Sequence, residues 1–139
     1  MKTDIFLVAD FAEKASNGKL NILGIFDRIY AQEFPVKHRT MYLVARIIAN
    51  LGEYNTIHDV KILFLDEDGN ELGGVDGQVT WTVPAGVDRA IAVLTLEVAD
   101  TILAEPGRYE FRLLINKQVH GVIPIDVIQL EKPESPAEQ

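Results

Sequence analysis

Between Gly107 and Asn116 apolar and polar residues alternate. Tyr109, Phe111, Leu113 and Ile115 take the odd positions; Arg108, Glu110 and Arg112 take the even ones until Leu114. Successive side chains of an extended chain point to opposite faces, whereas a helix returns to the same face about every 3.6 residues. This stretch can therefore bury one side and wet the other only as a β-strand. The same period recurs in 41–49, where Met41, Leu43, Ala45, Ile47 and Ala49 face one way and Thr40, Tyr42 and Arg46 the other. It recurs in 75–83, with Val75, Val79, Trp81 and Val83 on the apolar side, and in 90–98, with Ala90, Ala92, Leu94, Leu96 and Val98.

Segments of about 3–12, 19–30, 57–66 and 119–129 are rich in Ile, Val, Leu and Phe and read as further strands. Both sides of 5–9 are apolar, which implies a strand covered on both faces or one at an interface. Pro124 has no amide proton to give to a ladder, so its strand is expected at an edge or with a bulge. Turn chemistry separates the runs: Asn17-Gly18, Asp66-Glu67-Asp68-Gly69-Asn70, Pro84-Ala85-Gly86 and Pro106-Gly107. No amphipathic helix of ten residues is present, and 98–105 could hold one helical turn at most. Closely spaced strands with short turns predict an all-β fold, an antiparallel β-sandwich, immunoglobulin-like or C2-like, of seven to nine strands.

The 139 residues suit a single domain, expected over 1–130, followed by a polar, proline-containing tail at 131–139 that is expected to be disordered. There is no cysteine, which excludes disulfides, thiolate catalysis and Cys-type zinc sites. The net charge of −8 and the lack of any basic block argue against nucleic acid, because a phosphate backbone needs a cationic stripe. No apolar run reaches the length of a membrane span, and the N-terminal apolar run is too brief for a signal peptide. The cytoplasm is the expected location.

The stretch 16–35, "SNGKLNILGIFDRIYAQEFP", can be read as scaffold throughout. Asn17-Gly18 can close a hairpin between 3–12 and 19–30. Gly24 then marks a bulge or a close approach by a neighbour, and Pro35 holds Phe34 extended. Leu20, Ile22, Gly24 and Phe26 would share one side of the strand, with Asn21, Leu23, Ile25, Asp27 and Ile29 on the other. "NGKLNILGIFDRI", "MYLVARI", "LFLDEDG" and "PGRYEFRLLIN" together resemble a family of small bacterial proteins classed as a domain of unknown function. The similarity runs from about residue 4 to 128. The resemblance implies a β-sandwich, with no activity, cofactor or established partner.

Candidate chemistry is sparse. The loop Asp66-Glu67-Asp68-Gly69-Asn70-Glu71 offers hard oxygens of the kind calcium takes, but the twelfth position of an EF-hand loop would fall on Gly77. A solvated hairpin tip, with Gly69 allowing the turn, is the favoured reading of the loop. His38, His58 and His120 lie in separate segments without metal-ligand spacing and read as surface or turn histidines, His38 between Lys37 and Arg39. Ser16 and Ser135 are the only serines, and neither sits in a nucleophile elbow. Gly73-Gly74-Val75-Asp76-Gly77 leads into a strand rather than a helix, so it lacks phosphate-loop geometry. Trp81 reads as core; Tyr109 reads as the start of a late sandwich strand whose hydroxyl ties back to a loop. Tyr42 and Tyr54 are the better surface candidates for a sugar platform, with partial burial the favoured alternative.

No catalytic, cofactor-binding or metal-ligating residue is assigned, and no cofactor is expected. The expected function is a non-catalytic binding or assembly module of the bacterial cytoplasm with an unidentified protein partner, self-association included. The alternative is a small-ligand or carbohydrate-binding sandwich, calcium-assisted through Asp66–Glu71.

Overall fold

In a computed structural model of the chain, which describes residues 1–82 and 90–131, eleven strands and one 3-10 turn (Leu51–Glu53) follow one another. The strands are β1 (Lys2–Lys14), β2 (Leu20–Ile25), β3 (Arg28–Ala31), β4 (Val36–His38), β5 (Met41–Ala49), β6 (Ile57–Leu65), β7 (Glu71–Thr80), β8 (Ala90–Val98), β9 (Thr101–Leu103), β10 (Gly107–Ile115) and β11 (Gln118–Gln129). They form a four-stranded sheet, β2-β1-β5-β8, a five-stranded sheet, β3-β11-β10-β6-β7, and the small pair β4-β9. The two large sheets stack as a sandwich, and every pairing is antiparallel except β3 with β11.

The core lies between the sheets and follows the alternation. Met41, Leu43, Ala45, Ile47 and Ala49 of β5 face Tyr109, Phe111, Leu113 and Ile115 of β10, and all are buried. Phe64 of β6 stacks on Tyr109 at 5.5 Å and leans on Phe111 at 4.7 Å. Trp81 is buried at the end of β7 and donates to the Ile47 carbonyl at 3.4 Å. The Tyr109 hydroxyl donates to the Glu105 carbonyl at 2.7 Å, the tie-back expected of a late sandwich strand. Burial raises the phenol's pKa.

Asn17-Gly18 closes the β1-β2 hairpin: Gly18 has φ +84°, and the Asn17 side chain accepts from the Lys19 amide at 3.0 Å. Gly24, at φ +71°, occupies the one place on β2 where a Cβ would run into the Asp10 carboxylate.

The additional strands have physical causes. The run 19–30 does not remain in one sheet. After Ile25 the chain crosses over, and β3 joins β11, so Ile29 is buried against the core instead of sharing a face with Leu23. The pair β4-β9 consists of strands of three residues, too short to show a period. The segment 98–105 carries β9 rather than a helical turn. Pro124 pairs with Glu110 of β10 and precedes Asp126, where the pairing with β3 begins, so no described strand is paired on its other side.

The reading of 75–83 needs correction. Trp81 is buried and Val79 half-buried, but Val75 is 50% exposed and most of β7 is exposed on both faces. β7 is the edge of the wider sheet, and Val75 lines open clefts between it and β8. Val83 lies outside the described residues, as does the expected tail beyond Glu131.

Candidate functional site

Pairing register identifies which side chains share the outside of each sheet. On the four-stranded sheet Leu7, Val44 and Thr95 are level, as are Ala9, Tyr42 and Glu97, while Phe11 is level with Leu23. This outer face is apolar across its width. Ala9 and Val44 are fully buried on it. Their larger neighbours cover them: Ile5 and Leu7 are half-buried, and Phe11 meets Tyr42 edge-on at 5.2 Å. At the β2 margin Leu23 and Ile25 are each 65% exposed. The two-sided apolar character of 5–9 is thus located: Phe6 and Val8 face the core side, Ile5, Leu7 and Ala9 the outside. Charge on the face is limited to Lys2, Asp4, Glu13, Arg46 and Glu97. Arg46 Nε lies 3.5 Å from Asp4 and makes no hydrogen bond.

The outside of the five-stranded sheet is chemically different. Arg108 pairs with Asp126 at 3.1 Å and Arg112 with Glu110 at 2.9 Å. Lys61 is level with Asp76, and the Asp59 carboxylate accepts from Gln78 at 3.3 Å. Between the β7 and β8 edges lie two open clefts of about 310 and 400 Å³, lined mainly by apolar side chains such as Ile62, Val75 and Leu96.

The Asp66 loop is the β6-β7 hairpin tip. The Asp66 carboxylate accepts from the Asn70 amide at 2.8 Å, the Asp68 amide at 3.0 Å and the Asn70 side chain at 3.1 Å. The Asn70 side chain and then its amide hold this carboxyl below the usual range. Its lone pairs therefore hold the turn together. Among the described residues no group of three His, Cys, Asp or Glu is placed to hold a metal ion.

His58 departs from the surface reading: it is 8% exposed. Asn116 Oδ1 accepts from the Asp59 amide, which orients its Nδ2 to donate to His58 Nδ1 at 2.8 Å. Nδ1 being an acceptor, Nε2 carries the proton and donates to the Glu53 carbonyl at 2.8 Å, with Thr56 Oγ1 at 2.9 Å. Its ring meets Trp81 edge-on at 5.2 Å. Glu53 in turn accepts from the Asn50 amide and pairs with the Met1 ammonium, each of which lowers its pKa, the amide more. His58 thus ties three chain segments together at one end of the sandwich. The only hint in the sequence was its place in an alternating run, opposite Asp59 and Lys61.

His38 and His120 are half-buried. Burial, and after it Arg39, lowers the His38 pKa. The flanking cations have acidic neighbours, Lys37 with Asp100 at 3.8 Å and Arg39 with Asp10 at 3.4 Å. Ser16 is exposed on the hairpin turn, and Ser135 lies outside the described residues. Tyr42 and Tyr54 are not brought together: they flank opposite ends of β5, Tyr42 on the apolar outer face and Tyr54 packed against the core. Among the described residues no helix is long and apolar enough to cross a membrane.

Fold and surface define the class, an all-β sandwich domain with one outer face largely apolar and the other carrying ion pairs beside exposed apolar side chains such as Val122 and Ile128. The chain belongs to the family of unknown function DUF6941, whose model matches residues 4–128. No curated protein matches it.

Proposed function

We propose that this protein is a non-catalytic binding or assembly module of the bacterial cytoplasm, and that it engages a protein partner through the outer face of the β2-β1-β5-β8 sheet. One observation carries the reading: Leu23 and Ile25, each 65% exposed, flank a sheet face already apolar enough to bury Val44 and Ala9. Contiguous exposed apolar surface of this kind marks interaction sites. The cytoplasmic assignment draws support from the absence of cysteine. The non-catalytic assignment draws support from the candidate groups themselves: His58 is engaged in tying loops and Ser16 stands on a turn.

The test is a pull-down from native cytosol with the natural chain and with a Leu23→Lys/Ile25→Lys variant. A partner held by the first and lost from the second is expected. Equal capture by both overturns the assignment to this face. The calcium-assisted alternative has less support, because Asp66 already accepts three hydrogen bonds within its own loop. A ligand of the folded state raises the melting temperature. A rise on calcium titration would revive that alternative; an unchanged melting temperature is expected.

A further inference from the structure

We infer that the open edge of β7 receives an extended segment of another protein as an antiparallel sixth strand, one with large apolar side chains four residues apart and a Lys or Arg between them. This site is separate from the outer face of the β2-β1-β5-β8 sheet.

The ladder decides where the β7 backbone points. No described strand pairs with the second side of β7. At Asp59 of β6 the amide donates to Asn116 Oδ1 at 3.0 Å, and the carbonyl accepts from the Asn116 amide at 2.8 Å. Both Asp59 groups therefore point away from β7. In an antiparallel ladder a residue turned away in this manner faces a partner that is turned away too, and the pattern returns at every second residue. Asp59 faces Gln78, Lys61 faces Asp76 and Leu63 faces Gly74. Gln78, Asp76 and Gly74 thus hold their N–H and C=O groups out over the free edge, where an added strand would pair.

The side chains leave room for it. Directly opposed residues share a sheet face. Phe64, Ile62 and Val60 face the core, so their partners Gly73, Val75 and Gly77 do as well. Gly74, on the outside, has a local reason to be glycine: its Cβ would lie 3.0 Å from the Ile62 carbonyl oxygen. Gly73 and Gly77 have none of that kind. Neither has a positive φ, and a Cβ on either would meet nothing within 4 Å. Gly77 also stands in a regular part of the ladder, whose register shift falls beyond Gly73. Glycine inside a strand, without a bulge or bend, marks a close approach by another backbone or a ligand. Each glycine opens on one of the two clefts. The cleft of about 310 Å³ runs from Gly77 to Val60 and Leu94, that of about 400 Å³ from Gly73 to Phe64 and Phe111, and Val75 lines both. A strand laid along β7 sets its inward residues level with Gly77, Val75 and Gly73. Large apolar side chains at the first and last enter the clefts, and a small one clears Val75.

Charge fixes the residue beside Asp76. The chain carries −8, and the charged groups lining the two clefts among the described residues are Glu97 and Asp100, both acidic. A basic residue suits this edge. A second copy of β7 does not: the pairing that sets Val75 of each copy against Gly77 of the other also sets Asp76 against Asp76. Like charges directly opposed destabilise a strand pair.

The test is fluorescence anisotropy with a labelled, end-blocked peptide, Lys-Thr-Phe-Lys-Ala-Thr-Phe-Lys, on the full chain. Saturable binding with a Kd below about 1 mM is expected. Methylating the backbone nitrogens of the Lys and Thr between the two Phe, replacing that Lys by Glu, or making the two Phe adjacent should each weaken it about tenfold or more. Gly77→Val fills one cleft from within, and should lose the peptide while melting no lower than the natural chain. Leu23→Lys/Ile25→Lys should bind it unchanged, so this edge and the outer face fail separately. Absence of binding, or binding indifferent to backbone methylation, overturns the inference on the natural chain alone. Undiminished binding by Gly77→Val, or a lowered melting temperature that shows the glycine to be structural, overturns it too.

Discussion

On the outside of β10, Arg108 reaches Asp126 at 3.1 Å and Arg112 reaches Glu110 at 2.9 Å. On the outside of β1 and β5, Phe11 meets Tyr42 edge-on at 5.2 Å and Val44 is buried. Both surfaces belong to strands with the same two-residue period, and both back onto the same core. The difference lies in what fills the other half of the alternation. In β10 that half is mostly charged, and water is its natural neighbour. In β1 and β5 it is Ile5, Leu7, Ala9, Val44 and Ile48, interrupted by Arg46. Periodicity tells which residues share a face; only the composition of the second face tells whether water or protein lies beyond it.

This contrast predicts unequal responses to substitution. The largest concerns Val44. Val44→Asp places a carboxylate at a fully buried outer-face position and should cost about 3–5 kcal/mol in urea unfolding, the scale of an uncompensated buried charge. A loss below about 1 kcal/mol would mean the outer layer is loose and the two faces are alike. Phe11→Ala removes the edge contact with Tyr42 and part of its buried area, and should cost about 1–2 kcal/mol by the same measurement.

The Asp66 hairpin separates a turn from a calcium loop. Its folded pKa is depressed, so its contribution is present above the unfolded pKa and is lost as pH falls through the folded value. Asp66→Asn should therefore remove part of the acid-side slope of stability against pH and leave the neutral-to-alkaline limb parallel to that of the natural chain, as thermal melts across pH would show. The smallest effect is expected on the charged face. The Arg108–Asp126 pair has side chains 69% and 41% exposed, so Arg108→Ala should change stability by less than about 0.5 kcal/mol, and less still in high salt.

Much of the architecture was legible because it is local. Asn17-Gly18 announces a hairpin through its tolerance of positive φ, and the residues from Tyr109 to Ile115 announce a half-buried strand. Tyr109, just beyond Pro106-Gly107, announced its own tie-back to the loop. What escaped depends on residues far apart in the chain. Nothing near Phe26 says that the next strand joins the opposite sheet; β11, about a hundred residues later, decides that. The burial of His58 depends on Asn116 and Trp81, neither of them neighbours in sequence. The exposure of Val75 arises from its place on open clefts between the β7 and β8 edges, which no single strand records. The candidate face was half legible: the apolar character of 5–9 was plain, but its continuation through Val44 to Leu23 and Ile25 required the pairing register.

Pro124 bears on how growth would end. Strands left open at a rim invite foreign strands, and that kind of addition repeats without limit, as in fibrils. On β11, the stretch that β3 leaves uncovered offers a ring nitrogen where an intruder would seek a donor. Recruitment by backbone is thereby discouraged on that flank.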